Sequence, residues 1–359
     1  MNLEKIPATV VTGFLGSGKT TLLSNIIQQA RGKRIAVIVN EFGELDIDAD
    51  LLRSCPLDCE DSAADASMDA ENGIYELANG CICCTVEEEF LPVMQELVSR
   101  RDTIDHILIE TSGLALPKPL VQAFNWPDIK QHCTVDSVIT VVDGPAFADG
   151  RMAHNPAEVE ARRLADENLD HDPSLQELLE DQLTSADMII ISKSDLLSAD
   201  QIGQVESAVR AHVKPEIKML QVNHGQISSE LIMGLEHASE DSIESVHTHH
   251  DHHHDHGEDH HHAHEEFNSV SIKFGATDTE TVVNTVRQLI SEHTIFRVKG
   301  FLDLPGKPMR QVVQGVGDRI EHYFDRMWQP EEVRHSKLVL IGKDLDEAVL
   351  TSALKSTEV

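Results

Sequence analysis

Five short runs of aliphatic and β-branched residues, Ala8–Thr12, Ile35–Val39, His106–Ile109, Ser137–Val142 and Met188–Ile191, set the frame for this chain. Each is followed at once by a Gly-rich or polar loop, and often then by a helical stretch. That alternation is the pattern of a parallel sheet with crossover helices. In an open α/β sheet the ligand sits beyond the carboxyl ends of the strands, so the loops after these runs are expected to converge on one site.

The loop after the first run reads Gly13-Phe-Leu-Gly-Ser-Gly18-Lys19-Thr20, a G-x-x-x-x-G-K-[ST] pattern, with a helical run Thr21–Arg31 behind it. A strand before and a helix after make this match specific for a polyphosphate site. Backbone N–H groups of such a loop wrap phosphate, and the helix N-terminus favours negative charge. Lys19 adds a point charge on the β and γ phosphates, and the Thr20 hydroxyl suits Mg²⁺. Gly13, Gly16, Ser17, Gly18, Lys19, Thr20 and Thr21 are the candidate nucleotide contacts. Glu110-Thr-Ser-Gly113 closes the third run, with Glu110 placed as an acid near Mg²⁺ and the Gly113 N–H as a sensor of the γ-phosphate. Asn40-Glu-Phe-Gly-Glu44 and Asp46/Asp48 follow the second run, where a switch loop would present a carboxylate to the metal. Lys19, Glu110 and Asp48 are the candidate catalytic residues, and Thr20 with Asp48 the candidate Mg²⁺ ligands.

The fifth run leads into Ser192-Lys193-Ser194-Asp195, which resembles the N-K-x-D guanine signature with Ser in its first place. Asp195 can accept from guanine N1–H and N2–H₂, and the Lys193 stem can cover the ring. A strand-end Lys and Asp that merely cap a helix are the alternative.

Gly80-Cys81-Ile82-Cys83-Cys84-Thr85 puts three thiols within four residues. As thiolates, Cys81, Cys83 and Cys84 suit a tetrahedral Zn²⁺ or Co²⁺ or a linear Cu⁺, with a fourth ligand from elsewhere. Glu41 is the candidate for an added oxygen. A lone Cys133 reads as a small buried hydrophobe. Cys55 and Cys59 sit in an acidic insertion that reads as a solvated loop. Six Cys in so long a chain, three of them clustered, fit a reducing compartment and metal chemistry better than a disulfide framework.

Charge narrows the classes further. Lys plus Arg is 29 and Asp plus Glu is 62, a formal net charge of −33, and protonating all 21 His would still leave −12. Nucleic acid is disfavoured as a partner. No apolar stretch approaches the ~20 residues that span a bilayer, so no membrane partner is expected and the location is expected to be cytoplasmic. Eleven His fall between His247 and His264 among Asp and Glu, a composition that cannot bury a core and reads as a disordered linker able to buffer metal. Beyond it, Ser269–Phe274, Ile295–Leu302, Arg310–Gly315 and Lys337–Ile341 read as strands. Thr279–His293 and a stretch from Leu345 read as helices, together a small α+β domain.

Gly13–Thr20, Asn40–Glu44, the C-x-C-C motif at Gly80–Cys84, Glu110–Gly113, Ser192–Asp195, the His tract and the small final domain together resemble the CobW family of metallochaperone GTPases. The likeness covers nearly the whole chain, and the stretch from Glu71 to Phe90 is most similar to the cobalamin-biosynthesis member. The resemblance implies an α/β fold: a P-loop GTPase domain with a mostly parallel sheet over residues 1–242, a His-rich linker at 243–266, and a C-terminal α+β domain at 267–359. It implies GTP and Mg²⁺ as cofactors, Co²⁺ or Zn²⁺ as the carried metal, and a metal-acceptor protein, a cobaltochelatase, as partner. A His-rich storage protein would not need Mg²⁺ ligands or a guanine signature. A small-molecule kinase would have no use for C-x-C-C.

Overall fold

The computed structural model describes residues 3–30, 32–39, 74–76, 90–165, 174–234 and 267–359. The first domain is built on β1 (Ile6–Thr12), α1 (Lys19–Gln29), β2 (Ile35–Val39), β3 (Ile74–Glu76), α2 (Leu91–Ser99), β4 (His106–Glu110), α3 (Pro117–Ala123), α4 (Pro127–Lys130) and β5 (Cys133–Asp143). It continues through α5 (Gly144–Ala148), α6 (Pro156–Ala165), α7 (Leu175–Thr184), β6 (Met188–Ser192), α8 (Ala199–Arg210), β7 (Lys218–Val222) and α9 (Ser229–Met233). Among the described residues its strands form one parallel sheet in the order β3-β2-β4-β1-β5-β6-β7. Strand β1 lies at the centre, so the loop after it opens where the sheet order turns back on itself, the place such folds use for ligands.

Every residue of β2, β4, β5 and β6 is buried, as expected of strands covered on both faces by crossover helices. Helix α1 packs Leu22, Leu23, Ile26 and Ile27 onto one face of the sheet, while α2 and α3 bury Val93, Met94, Leu97 and Leu120 on the other. Each such side chain contributes about 1.5–3 kcal/mol by leaving water.

The second domain runs through β8 (Asn268–Phe274), α10 (Thr279–Glu292), β9 (Ile295–Leu302), β10 (Met309–Val316), β11 (Arg319–Met327), β12 (Ser336–Gly342) and α11 (Glu347–Lys355). Its antiparallel sheet has the order β11-β10-β9-β12-β8. Val282, Val286 and Leu289 of α10 and Leu350 and Leu354 of α11 cover one face of it.

Phe296, Val316 and Ile341 of this domain lie in the same buried cluster as Leu22, Ile26, Leu231 and Met233 of the first, so one core runs through both. Charged groups seal the rim. Arg297 and Asp136 form an ion pair with both side chains 1% exposed; Arg297 Nη1 also donates to Ile232 O at 3.1 Å. Arg319 Nε donates to Asp187 Oδ2 at 2.6 Å, and the Val138 N–H donates to the same oxygen at 2.8 Å. Lys218 Nζ donates to Ile290 O and His293 O at 3.0 Å each, a cation at the C-terminus of α10 where the helix dipole favours it. Beneath the ion pair His106 is fully buried, its Nε2 2.9 Å from Thr9 Oγ1, and burial pushes its pKa down to about 3, so the ring is neutral. Cys133 is buried as expected, and burial pushes its thiol up to about 12.

The sequence expectation omitted β3, a three-residue strand at one edge of the parallel sheet, and also β7 and β11. The last two are edge strands as well, and Lys218–Val222 and Arg319–Met327 have burial patterns broken by half-exposed and exposed positions. An edge strand needs less apolar surface and carries charge to avoid stray pairing. Helix α1 begins two residues earlier than Thr21, at Lys19 itself. The last helix begins at Glu347 because the Asp346 carboxylate accepts from the Ala348 and Val349 N–H groups and caps it.

Candidate functional site

The loops after β1, β4, β5 and β6 meet at the carboxyl edge of the sheet. Gly13 leaves β1 so close to β5 that a Cβ there would fall 2.2 Å from Val141 O; only glycine fits. Gly113, three residues beyond Glu110, is packed likewise, its hypothetical Cβ 2.6 Å from Leu15 N, so the loop after β4 rests directly on the phosphate loop. Gln182 of α7 fixes that contact by donating to Gly113 O at 3.3 Å and Ala115 O at 3.1 Å.

Helix α1 starts after Gly18 with no side-chain cap and no acidic residue in its first turn. Helices α7 and α8 instead carry capping boxes, Ser174/Glu177 and Ser198/Gln201. Uncapped first-turn N–H groups are a ready anion site. Lys19 is 5% exposed, with Nζ donating to Phe14 O at 3.2 Å, so its charge is held inside the loop. Ser17 Oγ is buried with no hydrogen-bond partner among the described residues, and a buried hydroxyl in that condition is a group waiting for an acceptor. The Thr20 hydroxyl donates to Glu110 Oε1 at 2.9 Å. This sets two hard oxygens side by side at the foot of α1, the donor chemistry Mg²⁺ takes. Thr21 is exposed on α1, and its carbonyl accepts from Asn25 Nδ2 at 2.9 Å.

The loop after β6 is tied to this cradle. Ser192 Oγ lies 2.6 Å from Ser17 O and 3.1 Å from Val142 O, so its hydroxyl bridges β6 to the phosphate loop across β5. Lys193, with φ +55°, swings Nζ onto Asp143 Oδ2 at 2.6 Å and Gly16 O at 2.8 Å. Asp143 in turn accepts from the Ala146 N–H at 3.0 Å and caps α5. Asp195 is exposed on the outer side of this loop and faces His224 from the loop after β7.

The structure thus brings together Gly13, Gly16, Ser17, Gly18, Lys19, Thr20, Thr21, Glu110, Gly113, Lys193 and Asp195. Cys81, Cys83, Cys84, Glu41 and Asp48 lie outside the described residues. Among those described, no group of three or more His, Cys, Asp or Glu is placed to hold a metal ion, and no helix is long and apolar enough to cross a membrane. Sequence reasoning missed Gln182, Asp143 and His224. Asp143 ends an apolar run as Glu110 does, and that position was the available signal; Gln182 and His224 had none.

Residues 7–221 match the family described as CobW/HypB/UreG, nucleotide-binding domain, and residues 267–358 match the cobalamin synthesis protein cobW C-terminal domain. The chain is 48% identical over 354 residues to the zinc chaperone CobW of Pseudomonas aeruginosa, covering 99% of this chain and 92% of that one. It is 45% identical over 355 residues to the zinc chaperone CobW of a Sinorhizobium species, covering 98% and 97%. The zinc-regulated GTPase metalloprotein activator 1 of Dictyostelium discoideum is 31% identical over 223 residues, 60% of this chain and 46% of that protein.

Proposed function

Because this chain belongs to the CobW/HypB/UreG nucleotide-binding family, with a CobW C-terminal domain, we propose that it is a GTP-hydrolysing metallochaperone. It carries a divalent metal at Cys81, Cys83 and Cys84, with Glu41 as an added ligand, and passes it to a metal-acceptor protein. The observation that carries the nucleotide half is the uncapped start of α1 with Lys19 buried in the loop and Thr20 hydrogen-bonded to Glu110. Lys19 and the first-turn N–H groups would offset phosphate charge, and the Gly113 N–H would sense the γ-phosphate and its cleavage. Thr20, Glu110 and Asp48 would hold Mg²⁺, whose charge neutralises the β and γ oxygens when bound. Asp195 reads the base as guanine. Ser192 supports that reading in place of Asn, because its hydroxyl ties the base loop to the phosphate loop at Ser17.

For the metal, the names of the two relatives that match over nearly full length favour Zn²⁺ over Co²⁺. Divalent affinities rise from Co²⁺ toward Cu²⁺ at a given site, so ligand type alone does not select cobalt. A cobaltochelatase acceptor goes with the cobalt reading and a zinc enzyme with the zinc reading.

The test is a competition titration of Zn²⁺ and Co²⁺ with Mg²⁺ present, with GDP and with a non-hydrolysable GTP analogue, in the parent and in a Cys83→Ser, Cys84→Ser variant. Tight metal binding is expected with the analogue, weaker by about 5–150-fold with GDP, and lost in the variant, the range of an ordinary coupling free energy. By reciprocity the metal tightens the analogue by the same factor. Equal affinities in both nucleotide states would sink the chaperone reading, and tighter Co²⁺ than Zn²⁺ would restore the cobalt one.

A further inference from the structure

Strand register sets Ser192 of β6 beside Val222 of β7, so the loops leaving these strands, Ser192–Asp195 and Asn223–Gly225, open next to each other at the carboxyl edge. The second loop is clamped to α1. Gly225 approaches the helix so closely that a Cβ would fall 2.8 Å from Thr21 O, and Asn25 Nδ2 donates to His224 O at 2.9 Å. His224 has φ +50°, the left-handed region that non-glycine residues seldom occupy. Backbone held in such a region by surrounding contacts is characteristic of ligand clamps. Its effect here is to set the ring Nε2 3.5 Å from Asp195 Oδ2, on the exposed side of the base loop.

We propose that His224 is a specificity-determining residue of the base site, its ring N–H donating to guanine O6 while Asp195 accepts from N1–H and N2–H₂. This rests on the guanine reading given above. Guanine presents an acceptor at C6 and donors at N1 and N2 along one edge, and a carboxylate answers only the donors. A carboxylate and an imidazole side by side offer an acceptor next to a donor, the complement of the N1–H and O6 pair. The other polar side chains of the first loop are turned elsewhere: Lys193 to Asp143 and Gly16 O, Ser192 to Ser17 O, Ser194 to Ile191 O at 2.7 Å. Adenine would set its C6 amino group against the ring N–H and its bare N1 against the carboxylate. Unpaired polar groups of that kind reject a ligand more strongly than lost contacts do.

The experiment measures affinity for GDP, ADP, inosine diphosphate and 6-thio-GDP in the parent and in His224→Ala, His224→Gly and His224→Gln. His224→Gly keeps the left-handed backbone and so separates the ring from the turn. The parent should prefer GDP to ADP. The Ala and Gly variants should weaken GDP about 10-fold without weakening ADP. Sulfur in place of O6 should cost the parent a similar factor and the Ala variant little, while His224→Gln, with an amide N–H, should recover part of the loss. Loss of the N2 amino group in inosine diphosphate should cost parent and Ala variant alike, since that group belongs to Asp195. A parent that selects GDP while His224→Ala and His224→Gly bind it within twofold of the parent would overturn the His224 assignment and leave the guanine reading standing. GDP and ADP weakened equally in the variants would overturn it too, by reducing the ring to a support of the loop. Equal affinity of the parent for GDP and ADP would remove the guanine reading itself.

Discussion

The two ends of the parallel sheet carry the same kinds of side chain and use them in opposite ways. At the amino ends Asp136 and Asp187 meet Arg297 and Arg319 of the second domain, with His106 buried beneath. At the carboxyl ends Lys19, Glu110, Asp143 and Lys193 are also held, Lys193 by Asp143 as well as by the Gly16 carbonyl, but every partner named there lies within the first domain. There the Ser17 hydroxyl and the first turn of α1 are left for something else. Burial of a charge is therefore not by itself a sign of function: Asp136 and Arg297, each 1% exposed, join two domains. The second domain closes one end, while the other, where Asp195 and His224 are exposed, is left open.

The largest expected effect tests the closed end. Asp136→Ala leaves Arg297 buried without its carboxylate and should cost about 3–5 kcal/mol of stability in chemical denaturation. GDP affinity of the folded fraction should stay within twofold. Replacing the pair by Leu at 136 and Met at 297 should recover most of the loss, because apolar substitutes are often neutral at such sites. At the open end, Lys19→Ala should lower GTP turnover about 10²–10³-fold, the usual cost of one charge-stabilising donor, and leave the melting temperature within a few degrees. Unchanged turnover would remove the phosphate cradle from the mechanism.

A smaller effect comes from His106. Its pKa is near 3 in the folded chain and about 6.5 in an unfolded one, so the unfolded chain takes up a proton first as pH falls. Stability is then full above pH 6.5 and is lost toward pH 3, by about 2 kcal/mol at pH 5. His106→Gln should flatten this limb of a stability–pH profile; the same slope in both proteins would assign it to other groups. The smallest is Ser198→Ala, which deletes the capping box of α8 and should cost about 1 kcal/mol with no change in nucleotide binding. The capped start of α8 should thus be sensitive in stability alone, and the uncapped start of α1 in binding.

The open end was legible in the sequence because phosphate chemistry demands particular residues at fixed spacing: Gly13, Gly18, Lys19 and Thr20 in one loop, and Glu110 and Gly113 at a strand end. All six fall in the loops and helix start that gather at the carboxyl edge of the sheet. The closed end was not legible. Asp136 and Arg297 are 161 positions apart, in two apolar strands that each carry one other charge, and nothing local pairs them. The same holds for Asp195 and His224, whose meeting depends on β6 and β7 lying side by side, and β7 was itself hidden by its edge-strand composition. Local spacing predicts what one loop does; contacts made by sheet order have to be seen.

The continuous core between the domains has a consequence for the chain path. The chain leaves the first domain at Gly234, whose carbonyl accepts from Lys299 Nζ at 3.2 Å. It enters the second at Phe267, whose ring meets Phe296 edge-on with centroids 5.4 Å apart. Both points are anchored by contacts that do not pass through residues 235–266. The join between Gly234 and Phe267 is made in space, through the core that the two domains share, as well as along the backbone. Cut there and expressed as separate chains, the two pieces should find each other and reassemble.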